Sequence, residues 1–381
     1  MFDIQKHFLL DPSIVFLNHG SFGAAPKPVF REYQRWQAEL EKQPVEFLGR
    51  RITALMAESR SILANYVGTH ADNLVYTQNA TIALNIIARS LDLKTGDEVL
   101  ATAHEYGAID RMWRFLAKEL GFKYINQKTS IPIPAKEKFT EEFWAGVTPN
   151  TRVVCVSQIT SSTALILPVE EIVTRAREAG ILTIVDGAHV PGQIPLRLDS
   201  LGPDFYAGNL HKWLCAPKGA GFLYARPEAQ KLVKPLVVSW GYDSEMPGSS
   251  VFVDHHEWWG TRDMAAFLAV PAAIEFQEKH EWERVREACY QLAKDCQSRI
   301  CELTGLSPLH SPGGDWFRQM FTAPLPADTD VTSLKNRLYN DFKIEVPVHE
   351  WNGNKLIRVS VQGYNTQEDL DALCHTLSLL L

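Results

Sequence analysis

Between residues 74 and 186 the chain alternates short apolar runs with amphipathic stretches, each run closed by a polar or glycine-containing turn. The runs at 74–76, 98–102, 122–125, 153–157 and 181–186 read as strands. A stretch between them places apolar residues on one helical face, as Ile82, Ile86 and Ile87 do. Strands separated by helices are βαβ units, and successive units of this kind build a mostly parallel sheet covered by helices. The expected class is α/β. Ligands of such sheets gather beyond the carboxyl ends of the strands, where the pattern puts Thr81, His104, Ser157 and Asp186.

One of these exits is a strand–turn–helix unit. It sets Asn79, Ala80 and Thr81 at a helix N-terminus, where backbone amides and a hydroxyl form a natural phosphate cradle. Plain helix capping by Asn or Thr is the alternative reading. Further on, FYAGNLHKWLCAPKGAGFLY (residues 205–224) holds Lys212 in the turn between two glycine-bounded strands, after Asn209 and His211. A surface hairpin lysine would be the ordinary reading. Asp186, closing ILTIVD, changes the weighting. A lysine and an aspartate at strand ends are the two groups pyridoxal phosphate needs most: an amine for a Schiff base, and a carboxylate to keep the ring nitrogen protonated. Arg358 stands mid-strand in LIRVSV among apolar neighbours, where it needs a charged partner. A salt bridge would serve, and so would a bidentate grip on a carboxylate.

The stretches HKW with KGAGFLY, VDGAHVPG and LNHGSFGAAP resemble the class V aminotransferase family of pyridoxal-phosphate enzymes over nearly the whole chain. Within it the likeness is to the isopenicillin N epimerase-like branch. The resemblance implies a fold type I, PLP-dependent transferase-like architecture. It divides the chain into an N-terminal arm (1–25), a large cofactor-binding domain (26–260) and a small C-terminal α+β domain (261–381). It implies that Asn79, Ala80 and Thr81 hold the phosphate, that His104 stacks on the ring, and that Ser157, Asn209 and His211 border the cofactor. His189 would donate to its phenolic oxygen. Thr261 would reach the phosphate from a partner subunit in a homodimer with shared sites. Arg358 would bind the substrate carboxylate, with Asn18, His19 and Tyr106 as further substrate contacts.

The expected activity is epimerase-like chemistry at the Cα of an amino acid. C–S or β-elimination lyase and aminotransferase are the alternatives, and a non-catalytic binding protein of the same fold is a further one. Residues 306–330 contain no cysteine, which argues against persulfide-forming desulfuration. Net charge is −7 with no lysine- or arginine-rich run, which argues against nucleic acid or an anionic membrane as partner. No apolar stretch approaches a membrane span, and the first residues lack a signal-peptide pattern. The six cysteines show neither CxxC nor metal-ligand spacing, so no metal is expected and a reduced, cytoplasmic setting is.

Overall fold

The computed structural model describes residues 4–381. Its central sheet has seven strands. In chain order the described strands are β1 (Val15–Phe16), β2 (Leu74–Thr77), β3 (Glu98–Thr102), β4 (Lys123–Gln127), β5 (Thr151–Ser157), β6 (Leu182–Gly187), β7 (Phe205–Asn209), β8 (Gly221–Ala225), β9 (Met320–Leu325), β10 (Ile344–Glu345), β11 (Val348–Trp351) and β12 (Asn354–Ser360). The central sheet runs β2-β8-β7-β6-β5-β3-β4. Neighbours pair in parallel except for β8, which is antiparallel to both β7 and β2. Six strands therefore point the same way, and their carboxyl ends share one edge.

Side chains on a strand alternate between faces, and here both faces are covered. Val154 and Val156 of β5 join the core on one side, while Val153 and Cys155 join the core on the other. Tyr206 and its neighbours Phe205 and Ala207 divide in the same way. That is why these strands are near-continuous apolar runs rather than half-polar ones.

Two local choices position the edge. The helix Ala80–Ser90 begins where the Asn79 side chain accepts a hydrogen bond from the Ile82 amide at 2.9 Å. At Gly221 an added Cβ would lie 2.8 Å from Asn79 Cα, so only glycine lets β8 pass against this turn.

A second, three-stranded antiparallel sheet has the order β11-β12-β9. The long helix Trp282–Thr304 packs on β9 and on the closing helix Gln367–Leu380. The run KIEVPVHEW (residues 343–351) forms two strands, β10 and β11, parted at Val346 and Pro347. Pro347 lacks the N–H a continuous ladder would use. The arm is tied to this region: β1 pairs in parallel with β10, and the Ser360 amide donates to Leu17 O at 2.9 Å.

Candidate active site

Lys212 lies in the connection between β7 and β8, with Nζ 3.0 Å from His189 Nε2. His189 Nδ1 faces the Trp213 indole N–H at 3.3 Å. An indole nitrogen can only donate, so Nδ1 accepts and the neutral imidazole carries its proton on Nε2. That proton points at Lys212, which can accept it only as an unprotonated amine. The electrostatics agree. Burial, then the Arg358 charge, bring the Lys212 ammonium down to about 7, with Asp186 opposing them. Burial, then Lys212, push His189 well below its ordinary value, so its ring stays neutral.

Asp186, on β6, is buried, and one carboxylate oxygen accepts from the Ala188 amide at 2.8 Å. Burial raises its pKa, offset by that amide and by Lys212. Ser157 is its register partner on β5. Its side chain is already committed, donating to Glu105 Oε2 at 2.6 Å while its amide donates to Oε1 at 3.2 Å. Thr102 Oγ1 donates to the same Oε1 at 2.6 Å. Burial carries Glu105 up to about 7 against these three hydrogen bonds, and the charge of Asp186 adds to the rise. Glu105 was not among the sequence candidates. An acid three residues past the end of β3, in HEYG, is the only trace it leaves in the sequence.

The three residues of the expected phosphate cradle have different fates. Asn79 spends its side chain on the cap, and the Ala80 amide donates to Asn209 Oδ1 at 2.8 Å. Thr81 is half-buried, and its hydroxyl donates to nothing among the described residues. His211 Nδ1 donates to Ala220 O at 3.1 Å, and burial brings its ring down to about 4. Asn209 and His211 thus brace the lysine turn.

The arm reaches the site on two sides. His19 is wholly enclosed: Nε2 donates to Lys212 O at 3.0 Å and Nδ1 accepts from Tyr364 Oη at 3.0 Å. Burial lowers it to about 3. It backs the lysine rather than facing open space, in contrast to the substrate contact expected of it. Gly23, at φ +70°, lies against this turn so closely that a Cβ would sit 2.0 Å from His211 O. Two residues after His19, Ser21 Oγ donates to Asn18 Oδ1 at 2.6 Å and lies 2.8 Å from Arg358 Nη2. Asn18 Nδ2 donates to Glu345 Oε1 at 2.8 Å.

Arg358, on β12, is buried, and Nη1 donates to Ser161 O at 2.8 Å and Ser161 Oγ at 3.1 Å. Its Nε is buried without a partner. No carboxylate pairs with it among the described residues, and burial lowers its pKa to about 10. His104 is enclosed, with Nδ1 3.0 Å from Thr163 Oγ1, Nε2 3.3 Å from Thr129 Oγ1, and Trp351 stacked on it at 4.6 Å. One face of the His104 ring is therefore taken by Trp351. Tyr106, at the start of helix Gly107–Leu120, is 46% exposed and lies in the electrostatic neighbourhood of Arg358. Thr261 is exposed, and no hydrogen bond joins it to the Lys212 group.

A mostly parallel sheet with a lysine and an aspartate at its carboxyl edge, and a guanidinium brought in from a second sheet, defines a pyridoxal-phosphate enzyme of the type I fold. The chain belongs to the class V aminotransferase family, whose model matches residues 24–373. It is 36% identical to isopenicillin N epimerase of Amycolatopsis lactamdurans, across 99% of this chain and 97% of that one. It is 28% identical to putative L-cysteine desulfhydrase 1 of Oryza sativa subsp. japonica, across 97% of this chain and 84% of the relative. Among solved structures it is similar to an apo cysteine desulfurase from Thermococcus onnurineus NA1, with TM-score 0.85 and 21% identity over 99% and 97% of the two chains. That likeness bears on the fold.

The family's cofactor is pyridoxal phosphate, and the residues present fit it. They offer an amine whose ammonium is lowered to about 7, a buried carboxylate with one oxygen beyond its amide partner, a neutral imidazole with its N–H toward that amine, and a helix N-terminus. Among the described residues no helix is long and apolar enough to cross a membrane.

Proposed function

We propose that the protein binds an α-amino acid through Arg358 and inverts its Cα by moving the proton there, as an epimerase. Arg358 carries this reading. A buried cation bounded by two serines and a carbonyl, with Nε unpartnered, lacks the counter-ion its burial requires. A substrate carboxylate supplies that charge in the planar geometry a guanidinium matches.

When bound, pyridoxal phosphate supplies electron withdrawal from Cα, which makes its proton removable. The chain's residues supply the rest. Lys212, released as a neutral amine, takes the α-proton at Nζ, and its lowered pKa keeps that form available near neutrality. Asp186 would hold a proton at the ring nitrogen, and His189 Nε2–H would donate to the phenolic oxygen. Thr81 and the helix start behind it would hold the phosphate.

Inversion needs a proton delivered from the face opposite Lys212. Tyr106 suits this better than His104: its phenol is exposed beside Arg358, whereas both His104 nitrogens are committed. In this reading the large domain (26–260) carries the cofactor, while the small domain (261–381) and arm (1–25) grip the substrate. A homodimer is part of it. Trp240 is 86% and Met246 90% exposed, in the same stretch as exposed Thr261, and a second copy would cover them. Six cysteines without a disulfide support a cytoplasmic setting.

The competing reading is β-elimination from a cysteine-type substrate, favoured by the relative named as an L-cysteine desulfhydrase. Incubation with a panel of L-amino acids and cysteine conjugates in heavy water separates the two. Deuterium at Cα with inverted product supports the epimerase. Pyruvate and ammonia without inversion would overturn it in favour of the lyase.

A further inference from the structure

Two cysteines far in sequence from the Lys212 group face each other across a helix pair. Cys296 lies in helix Trp282–Thr304 and Cys374 in helix Gln367–Leu380, with their sulfurs 4.0 Å apart. We propose that Cys296 and Cys374 are a peroxide-oxidisable dithiol, a modification site whose disulfide clamps the closing helix to the long helix of the small domain.

The two thiols are unequal in the way such a pair requires. Cys296 is fully buried, whereas Cys374 is partly exposed and lines a surface depression of about 530 Å³ with Arg299, Asp371 and His375. A small oxidant can therefore reach Cys374 and not Cys296. Arg299 is held in place by Asp371 at 2.5 Å and by Asp295 at 3.4 Å, so a cation stands beside the accessible sulfur. The hydrogen bond from Cys296 and the charge of Arg299 lower the Cys374 thiol, against burial and the two aspartates. The same contact and burial raise Cys296. The accessible member is the better thiolate, and the buried one waits beside it as the resolving thiol.

The chemistry balances with a hydroperoxide as oxidant. The Cys374 thiolate attacks the terminal peroxide oxygen; an S–O bond forms, the O–O bond breaks, and the alkoxide or hydroxide leaves as alcohol or water. Cys296 then attacks the Cys374 sulfur. An S–S bond forms, the S–O bond breaks, and hydroxide departs, neutralised by the Cys296 proton. Each pair of thiols loses two electrons and two protons to one peroxide. The sulfurs must close to about 2 Å, which side-chain rotation and a small helix adjustment supply.

Cys301 provides an internal control. It lies on the same long helix, is also partly exposed, and its thiol is raised by burial. The test treats the intact, cofactor-loaded protein with hydrogen peroxide, alkylates the remaining thiols, and maps peptides by mass spectrometry without reduction. The expected product is a Cys296–Cys374 linked peptide, two hydrogens lighter than the sum of its parts and restored by dithiothreitol. Cys374 should react at least about tenfold faster than Cys301. In Cys296→Ala, oxidation should stop at a dimedone-reactive sulfenic acid on Cys374. The proposal fails if Cys374 oxidises no faster than Cys301. It fails equally if wild-type Cys374 proceeds to sulfinic acid without forming the link.

Discussion

The two sides of Lys212 are built on opposite principles, and a single short helix of the arm serves both. Behind the lysine, His19, Tyr364 and the Lys212 carbonyl form a closed hydrogen-bonded chain with no solvent access. In front, Arg358 is met by Ser21 and Ser161 but by no carboxylate, and its Nε has no partner. A satisfied buried network fixes geometry. An unsatisfied buried cation costs stability, which a protein tolerates where a ligand will supply the missing charge. In the proposed reading the rear positions the lysine, and the front receives the substrate carboxylate.

The hardest blow to the front is Lys212→Ala. Turnover should fall by roughly 10³-fold or more, and borohydride should no longer fix the cofactor's mass to the chain. Full turnover in this variant would mean the base lies elsewhere. Arg358→Leu comes next. Losing a charge-assisted carboxylate grip of about 3 kcal/mol should raise KM roughly 100-fold. The thermal midpoint should hold or rise, because the variant removes an unpaired buried charge. A fall in thermal midpoint with KM unchanged would make Arg358 a structural residue and erase the contrast between the two sides.

Tyr106→Phe sharpens the front further. Delivery of a proton by a positioned acid contributes roughly 10²-fold, so inversion should slow by about that much. Exchange of the α-proton with solvent, on the Lys212 side, should persist with retained configuration. Equal loss of exchange and inversion would give Tyr106 a binding role only.

Much of this was legible in the sequence, for a physical reason. Alternating apolar runs fix a parallel sheet, and a parallel sheet fixes the edge at which its ligand binds. Lys212, Asp186 and His189 fall at that edge because each follows or ends an apolar run. What stayed hidden was the direction of side chains in irregular segments. Asn18 and His19 read together in the sequence as substrate contacts, yet helix His19–Phe22 turns about 100° per residue. His19 and Ser21 therefore point to opposite sides, while Asn18 and Ser21 share one. The same holds past β3, where His104 turns inward to Trp351, Glu105 turns under Ser157, and Tyr106 remains exposed. Three successive residues in a turn carry no period from which to read their directions.

The gentlest test addresses the rear. His19 is held near 3 in the folded protein by burial, against an ordinary value of 6.5. The folded state thus binds fewer protons than the unfolded state below pH 6.5. His19's contribution to stability is complete above that value and declines as pH falls toward 3, by at most about 1.4 kcal/mol per pH unit. Glutamine can donate to the Lys212 carbonyl and accept from Tyr364 but does not titrate. His19→Gln should therefore cost about 1 kcal/mol at pH 7.5, and the gap to wild type should close within about one pH unit below 6.5 and then reverse, leaving the variant the more stable at pH 4. Buried His104 and His211, each lowered to about 4, titrate alike in both proteins and cancel in the difference. Denaturant melts at four pH values measure it. KM should stay within a few-fold of wild type, because this side chain touches the lysine's backbone and not the substrate. A KM rise matching that of Arg358→Leu, with a pH-independent stability gap, would put His19 in front of the lysine and undo the division between the two sides.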